Sequence, residues 1–152
     1  MRRNFALVLS FLAATASCSS GDAASTTTAD TPALTAKFDG ATWTAATITA
    51  TFASGYLTVT GTAPSLGTFS FSLIANAPGT YSISSLSPVT TTYTLLSSTW
   101  SASGTNGSGT VTITSFGTSS ASGTFNFIIQ PVTSTAATGF KTLSEGKFTV
   151  KF

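Results

Sequence analysis

The chain offers few side chains able to do covalent or acid–base chemistry. Its only cysteine, Cys18, closes an apolar run within FLAATASCSSGD. Histidine is absent, and both arginines, Arg2 and Arg3, precede that run. These absences remove Ser-His-Asp triads, Cys-His pairs, His-bearing zinc sites and arginine phosphate clamps. Beyond residue 30 the only carboxylates are Asp39 and Glu145. A glycosidase-like pair needs two carboxylates facing one bond. Here each precedes a glycine, and Asp39-Gly40 and Glu145-Gly146 read as turns. Calcium wants several oxygens, usually carboxylates among them, and no Asp-rich loop is present. The chain therefore reads as non-enzymatic, with no cofactor and no metal site. A lone thiol has no internal disulfide partner, so another chemical use is expected for Cys18.

Its surroundings indicate which use. Arg2 and Arg3 open a short basic region, and NFALVLSFLAATAS follows, nearly uncharged and mostly apolar. That is the layout of a secretory signal peptide. The run is shorter than the roughly 20 apolar residues of a spanning helix. Thr15, Ala16 and Ser17 before Cys18 resemble the lipobox of bacterial lipoproteins, in which the cysteine takes a diacylglyceryl thioether and becomes the first mature residue. Thr15 departs from the usual Leu. Residues 1–17 are then a lipoprotein signal peptide and Cys18 the lipid attachment site. The alternative is a soluble secreted chain cut near Ala14-Thr15-Ala16. Ser19 is not the Asp of inner-membrane retention, so the resemblance points to the outer membrane. Residues 18–33, with the Ser/Thr/Ala run SSGDAASTTTADTPA, read as a flexible tether. Its root-mean-square reach is about 20 Å, from roughly 5–6 Å times the square root of its length.

Charge narrows the partners. The formal net charge of +2 includes Arg2 and Arg3. After Cys18, Lys37, Lys141, Lys147 and Lys151 balance Asp22, Asp30, Asp39 and Glu145. No basic patch exists to neutralise phosphates, so nucleic acid is not expected as a partner. The expected partner is a membrane, held through the N-terminal lipid, with any protein or glycan partner unassigned. Lys141, Lys147 and Lys151 read as solvent-face charges that discourage edge pairing. Asn106-Gly107-Ser108 matches a glycosylation sequon but reads as a turn.

The remaining candidates are aromatic. Trp43, Trp100, Tyr56 and Tyr93 are open to two readings. Trp43 and Trp100 either anchor a core or form a ligand-stacking surface for a sugar or peptide.

The elements that must position these residues are strands. Thr42 to Phe52, Gly55 to Gly61, Phe69 to Leu73, Tyr81 to Ile83, Val111 to Ile113, Phe125 to Ile129 and Phe148 to Phe152 carry apolar residues among Ser and Thr, mostly in alternation. A period of two, apolar against hydroxyl, marks half-buried antiparallel strands. Gly-Thr opens an alternating run at 67, 79, 109 and 123, with Gly read as the turn and Thr as the strand start. Asn76-Ala77-Pro78-Gly79, Asn106-Gly107 and Ser144-Glu145-Gly146-Lys147 read as connections. Residues 34–152 are thus expected to form one all-β domain of 8–10 strands. An antiparallel β-sandwich is preferred, with a flattened meander β-barrel as the alternative.

TAKFDGATWTAA, SGTVTITSF, SGTFNF and EGKFTVKF together resemble a family of small bacterial lipoproteins catalogued as domain of unknown function 6252. The resemblance covers residues 35 to 152. It implies a lipobox, a tether and a β-domain, and it carries over no functional residue. The expected function is that of a lipid-anchored envelope domain with a structural or interaction role. The alternative is a carrier for an apolar or carbohydrate ligand.

Overall fold

The computed structural model describes residues 31–152. The expected signal peptide, Cys18 and the expected tether up to residue 30 lie outside the described residues. All eleven elements are strands: β1 (Ala33–Phe38), β2 (Ala41–Thr44), β3 (Thr47–Ala53), β4 (Tyr56–Ala63), β5 (Gly67–Ile74), β6 (Gly79–Ser82), β7 (Thr90–Leu95), β8 (Ser98–Ser103), β9 (Ser108–Phe116), β10 (Ser120–Pro131) and β11 (Lys141–Lys151). Every pairing is antiparallel. They form one curled sheet in the order β2-β1-β11-β10-β8-β7-β5-β4-β3, with β9 and then β6 branching from β10.

The ends of that order meet through the chain itself. β2 pairs with β1 and β3 with β4, and only Ala45 and Ala46 lie between β2 and β3. The Ala45 N–H donates to the Leu34 carbonyl at 3.0 Å and the Ala46 N–H to the Thr62 carbonyl at 2.9 Å. One strand path therefore bends from one face of the molecule to the other. The opposite corner is built alike. β9 borders β10 at Ala121–Ile128, and β8 borders it at Gln130 and Pro131. Switching sheets at a bend is how packed sheets turn corners. The two faces of the curled sheet pack against each other as in a sandwich, and the continuous antiparallel pairing from β2 to β3 gives the same sheet the form of a half-barrel.

The strand count exceeds expectation because the run from Thr42 to Phe52 is broken at Ala45-Ala46, and because β1, β7 and β8 carry weak apolar patterns. The inward positions of β7 are Thr91 and Tyr93, and those of β8 are Trp100 and Ala102, all buried.

Aromatic rings fill the interior. Phe69 on β5 lies at 5.1 Å from Phe125, 5.8 Å from Phe38 and 6.0 Å from both Trp43 and Phe71. Phe71 meets Phe148 edge-on at 5.3 Å. Such offset and tilted pairs add to the area term. One end of the barrel, the terminal end, holds Ala33 and Phe152. The other holds the Asp39-Gly40 turn, the turns after β4 and β7, and the loop between β10 and β11.

Two glycines overturn the sequence reading of their segments. Ser144-Glu145-Gly146-Lys147 is no turn but the middle of β11. Partners shift there on both sides, with Phe125 opposite Gly146 but Phe127 opposite Leu143, and Thr35 opposite Lys147 but Lys37 opposite Ser144. This is a β-bulge with Glu145 at φ 52°, the left-handed conformation that usually signals a turn. Gly123, expected to open a strand, lies inside β10.

Candidate functional site

The two tryptophans belong to the core. Trp43 is 2 % exposed and Trp100 6 %, which leaves no open ring face for a ligand to stack on. Their polar edges tie down loops. Trp43 Nε1 donates to the Leu66 carbonyl at 3.1 Å, and the Tyr93 hydroxyl donates to the same oxygen at 2.7 Å. Trp100 Nε1 donates to the Gly139 carbonyl at 2.9 Å. Lys141 Nζ caps the Trp100 ring at 4.8 Å from its centroid. Of the four aromatics weighed from sequence, only Tyr56 is exposed. Gly61 makes this arrangement possible, since a Cβ there would meet Leu34, Ala45 and Trp43 at 3.0 Å or less.

The carboxylates are held apart by different lysines. Asp39 sits in the β1–β2 hairpin turn with Gly40, both at positive φ. It accepts from the Thr142 N–H at 2.8 Å and from Lys141 Nζ at 3.0 Å. Glu145 accepts from Lys37 Nζ at 2.7 Å. Thr35, Ala36, Lys37, Thr42, Glu145 and Lys147 line an open depression of about 180 Å³ beside the bulge. Among the described residues no three His, Cys, Asp or Glu side chains gather as a metal site would require. Nor is any helix there long and apolar enough to cross a membrane. The lysines of β11 do not guard an edge, because β11 lies between β1 and β10.

Burial pulls the Asp39 carboxyl upward, but the Thr142 N–H and the Lys141 ammonium outweigh it and hold it below the ordinary 3.8. Burial, with Asp39 nearby, pushes the Tyr93 phenol above its ordinary 10.0. The sign of each shift gives a pH window. A depressed carboxyl stabilises the fold above its unfolded pKa, and this is lost as pH falls through the folded one. A raised phenol stabilises it below its unfolded pKa, and this is lost as pH rises through the folded one. The urea midpoint is therefore expected to be flat near neutrality and to fall at both extremes. Asp39→Asn should lose stability near neutral pH and converge on the parent in acid, which a pH series of urea melts checks.

The sequence reading did not anticipate the most ordered surface feature. All six Lys, Asp and Glu side chains of the described residues, Lys37, Asp39, Lys141, Glu145, Lys147 and Lys151, lie on β1, its turn and β11. The outer face of β3, β4, β5, β7 and β8 carries three cross-strand rows made entirely of hydroxyl side chains. They run Thr47-Thr62-Thr68-Thr94-Thr99, Thr49-Thr60-Ser70-Thr92-Ser101 and Thr51-Thr58-Ser72-Thr90-Ser103. Neighbours hydrogen-bond across strands, as in Thr58–Ser72 at 2.9 Å and Thr62–Thr68 at 3.1 Å. Register along these pairings has no shift, whereas the β1–β11, β10–β11 and β9–β10 pairings each have one. The signal was present in the sequence, because residues 40–140 contain no Asp, Glu, Lys or Arg.

These features define a class: a small all-β antiparallel domain with a packed aromatic interior and a largely neutral, hydroxyl-covered surface. The family model described as Domain of unknown function (DUF6252) matches residues 30–150, and the chain belongs to that family. No curated protein and no solved structure matches it.

Proposed function

We propose that the chain is a non-enzymatic domain of the cell envelope, anchored through a lipid on Cys18, that works by surface binding. The observation carrying this reading is the segregation of charge. Among the described residues its lysines and carboxylates are confined to one strip, and five strands present a neutral face of hydroxyls. A broad, regular face of this kind can donate and accept hydrogen bonds over a large area, and it assembles no nucleophile, base or oxyanion site. The ring-to-ring packing of the interior supports recognition on the outside over carriage within, because buried rings such as Phe69, Phe71, Phe125 and Phe148 already occupy the space a ligand would need. Cys18 and its small neighbours support the anchor, and Ser19 favours the outer membrane.

Intact mass from the native membrane fraction tests the anchor, beside a Cys18→Ala chain. The expected result is a mature mass beginning at Cys18 plus acyl chains, absent from the variant. An unmodified mass with cleavage elsewhere and a soluble product overturns it.

A further inference from the structure

We propose that the terminal end of the barrel is a seat for the bilayer surface, so that the domain rests on the membrane and does not hang free from it. This rests on the lipid-anchor reading. Apolar side chains at that end form one continuous patch. The rings of Phe52, Phe116 and Phe152 lie 5.2 to 6.0 Å apart and plug the space between the faces. Phe52 stays 36 % exposed. One residue further along β3, Ala53 pairs with Tyr56, which pairs with Ile74, and the latter two are each 45 % exposed. The patch thus wraps from the plug onto the outer face, where the hydroxyl rows stop.

Its location selects the occupant. Ala33, where the chain from Cys18 enters the domain, pairs with Thr149 at this same end. The stretch from Cys18 has an expected reach of roughly 20 Å. β11 alone runs about 37 Å at roughly 3.4 Å per residue. A lipid on Cys18 therefore holds this end, and not the opposite one, at the bilayer. Aromatic residues with a polar tip, such as Tyr56, favour the headgroup level. Lys151 pairs with Ser120 at this end and is the charged side chain nearest the patch in the strand register, so its charge suits anionic headgroups.

The opposite end supplies a control, because it too exposes apolar side chains, Leu66, Leu96 and Phe140 at 47, 93 and 64 %, and differs in lying away from the point where the chain from Cys18 enters. The test uses residues 18–152 with a maleimide lipid coupled to Cys18, on vesicles of brominated phosphatidylcholine and phosphatidylglycerol. Bromine quenches tryptophan only at close range. Trp43 and Trp100 are buried and give the same background in every chain. Tyr56→Trp and Ile74→Trp are expected to lose their added emission on brominated vesicles, and Leu96→Trp to retain it. Two reporters on neighbouring strands guard against one substitution disturbing the fold. Unquenched reporters at 56 and 74, or quenching at 96, would overturn the seat. Because the lipid is supplied chemically, this outcome is independent of whether the cell acylates Cys18, which the mass measurement decides separately.

Discussion

Phe69→Ala is expected to cost about 3–5 kcal/mol, the range for deleting a buried phenyl ring. Phe69 is fully buried and packs against rings from three other strands, with Phe38 on β1, Trp43 on β2, and Phe125 and Phe127 on β10. Its neighbours are themselves large and wedged against one another, so the cavity has little means of collapse. Domains of this size are stable by roughly 5–15 kcal/mol, so the variant stands near the limit of folding. A urea melt is the measurement. The midpoint should drop with the slope unchanged, which marks lost stability and not a changed unfolded state. Phe140→Ala is the comparison. That ring is 64 % exposed, and its loss should stay within about 0.5 kcal/mol, as for ordinary surface changes.

Gly123→Ala is the second large effect, and it comes from one added methyl group. A Cβ at Gly123 would collide with the Thr112 carbonyl oxygen and stand 2.9 Å from the Phe148 ring. The oxygen belongs to a paired strand, so it cannot move without breaking the β9–β10 ladder. Overpacking of this kind costs about 1–3 kcal/mol and occasionally more. Gly79→Ala is the matched control, since the same Gly-Thr dipeptide opens β6 and a Cβ there meets nothing nearer than the Tyr81 ring at 3.6 Å. Thermal melts of the two variants should differ by several degrees, Gly79→Ala lying close to the parent. Equal melting would mean that β9 and β10 can separate locally without penalty.

These two glycines also show where the sequence stopped being readable. Gly79 and Gly123 stand in the same local pattern, so nothing nearby distinguishes a strand opening from a strand interior. The difference lies in Thr112 and Phe148, which are remote in sequence. The Glu145-Gly146 bulge was hidden for the same reason. A left-handed residue followed by glycine is the local grammar of a turn, and only the partners on both sides show that β11 runs through it. Periodicity succeeded where each strand keeps one wet face and one dry face, as in Leu57 and Val59 or Phe69 and Phe71. It faltered in β7 and β8, where Thr91 occupies an inward position and its hydroxyl is satisfied by the Ser70 carbonyl at 3.0 Å. On the surface, individual Thr and Ser residues read as strand formers. Their alignment into rows is a property of register, which no single segment carries.

The β1–β11 contact sets an order of events for the chain as it is made. Leu34 pairs with Phe148, so the first strand waits for the last before the sheet can close. Contacts of such separation bear the full entropy of closing a long loop, and folds built on them form slowly. Until β11 emerges, β1 presents an unpaired edge in a chain with almost no charge to keep copies apart. A nascent domain is thus most prone to self-association just before its final eleven-residue strand arrives. Truncation within that strand removes the closing step itself, a far greater loss than shortening either face by the same number of residues.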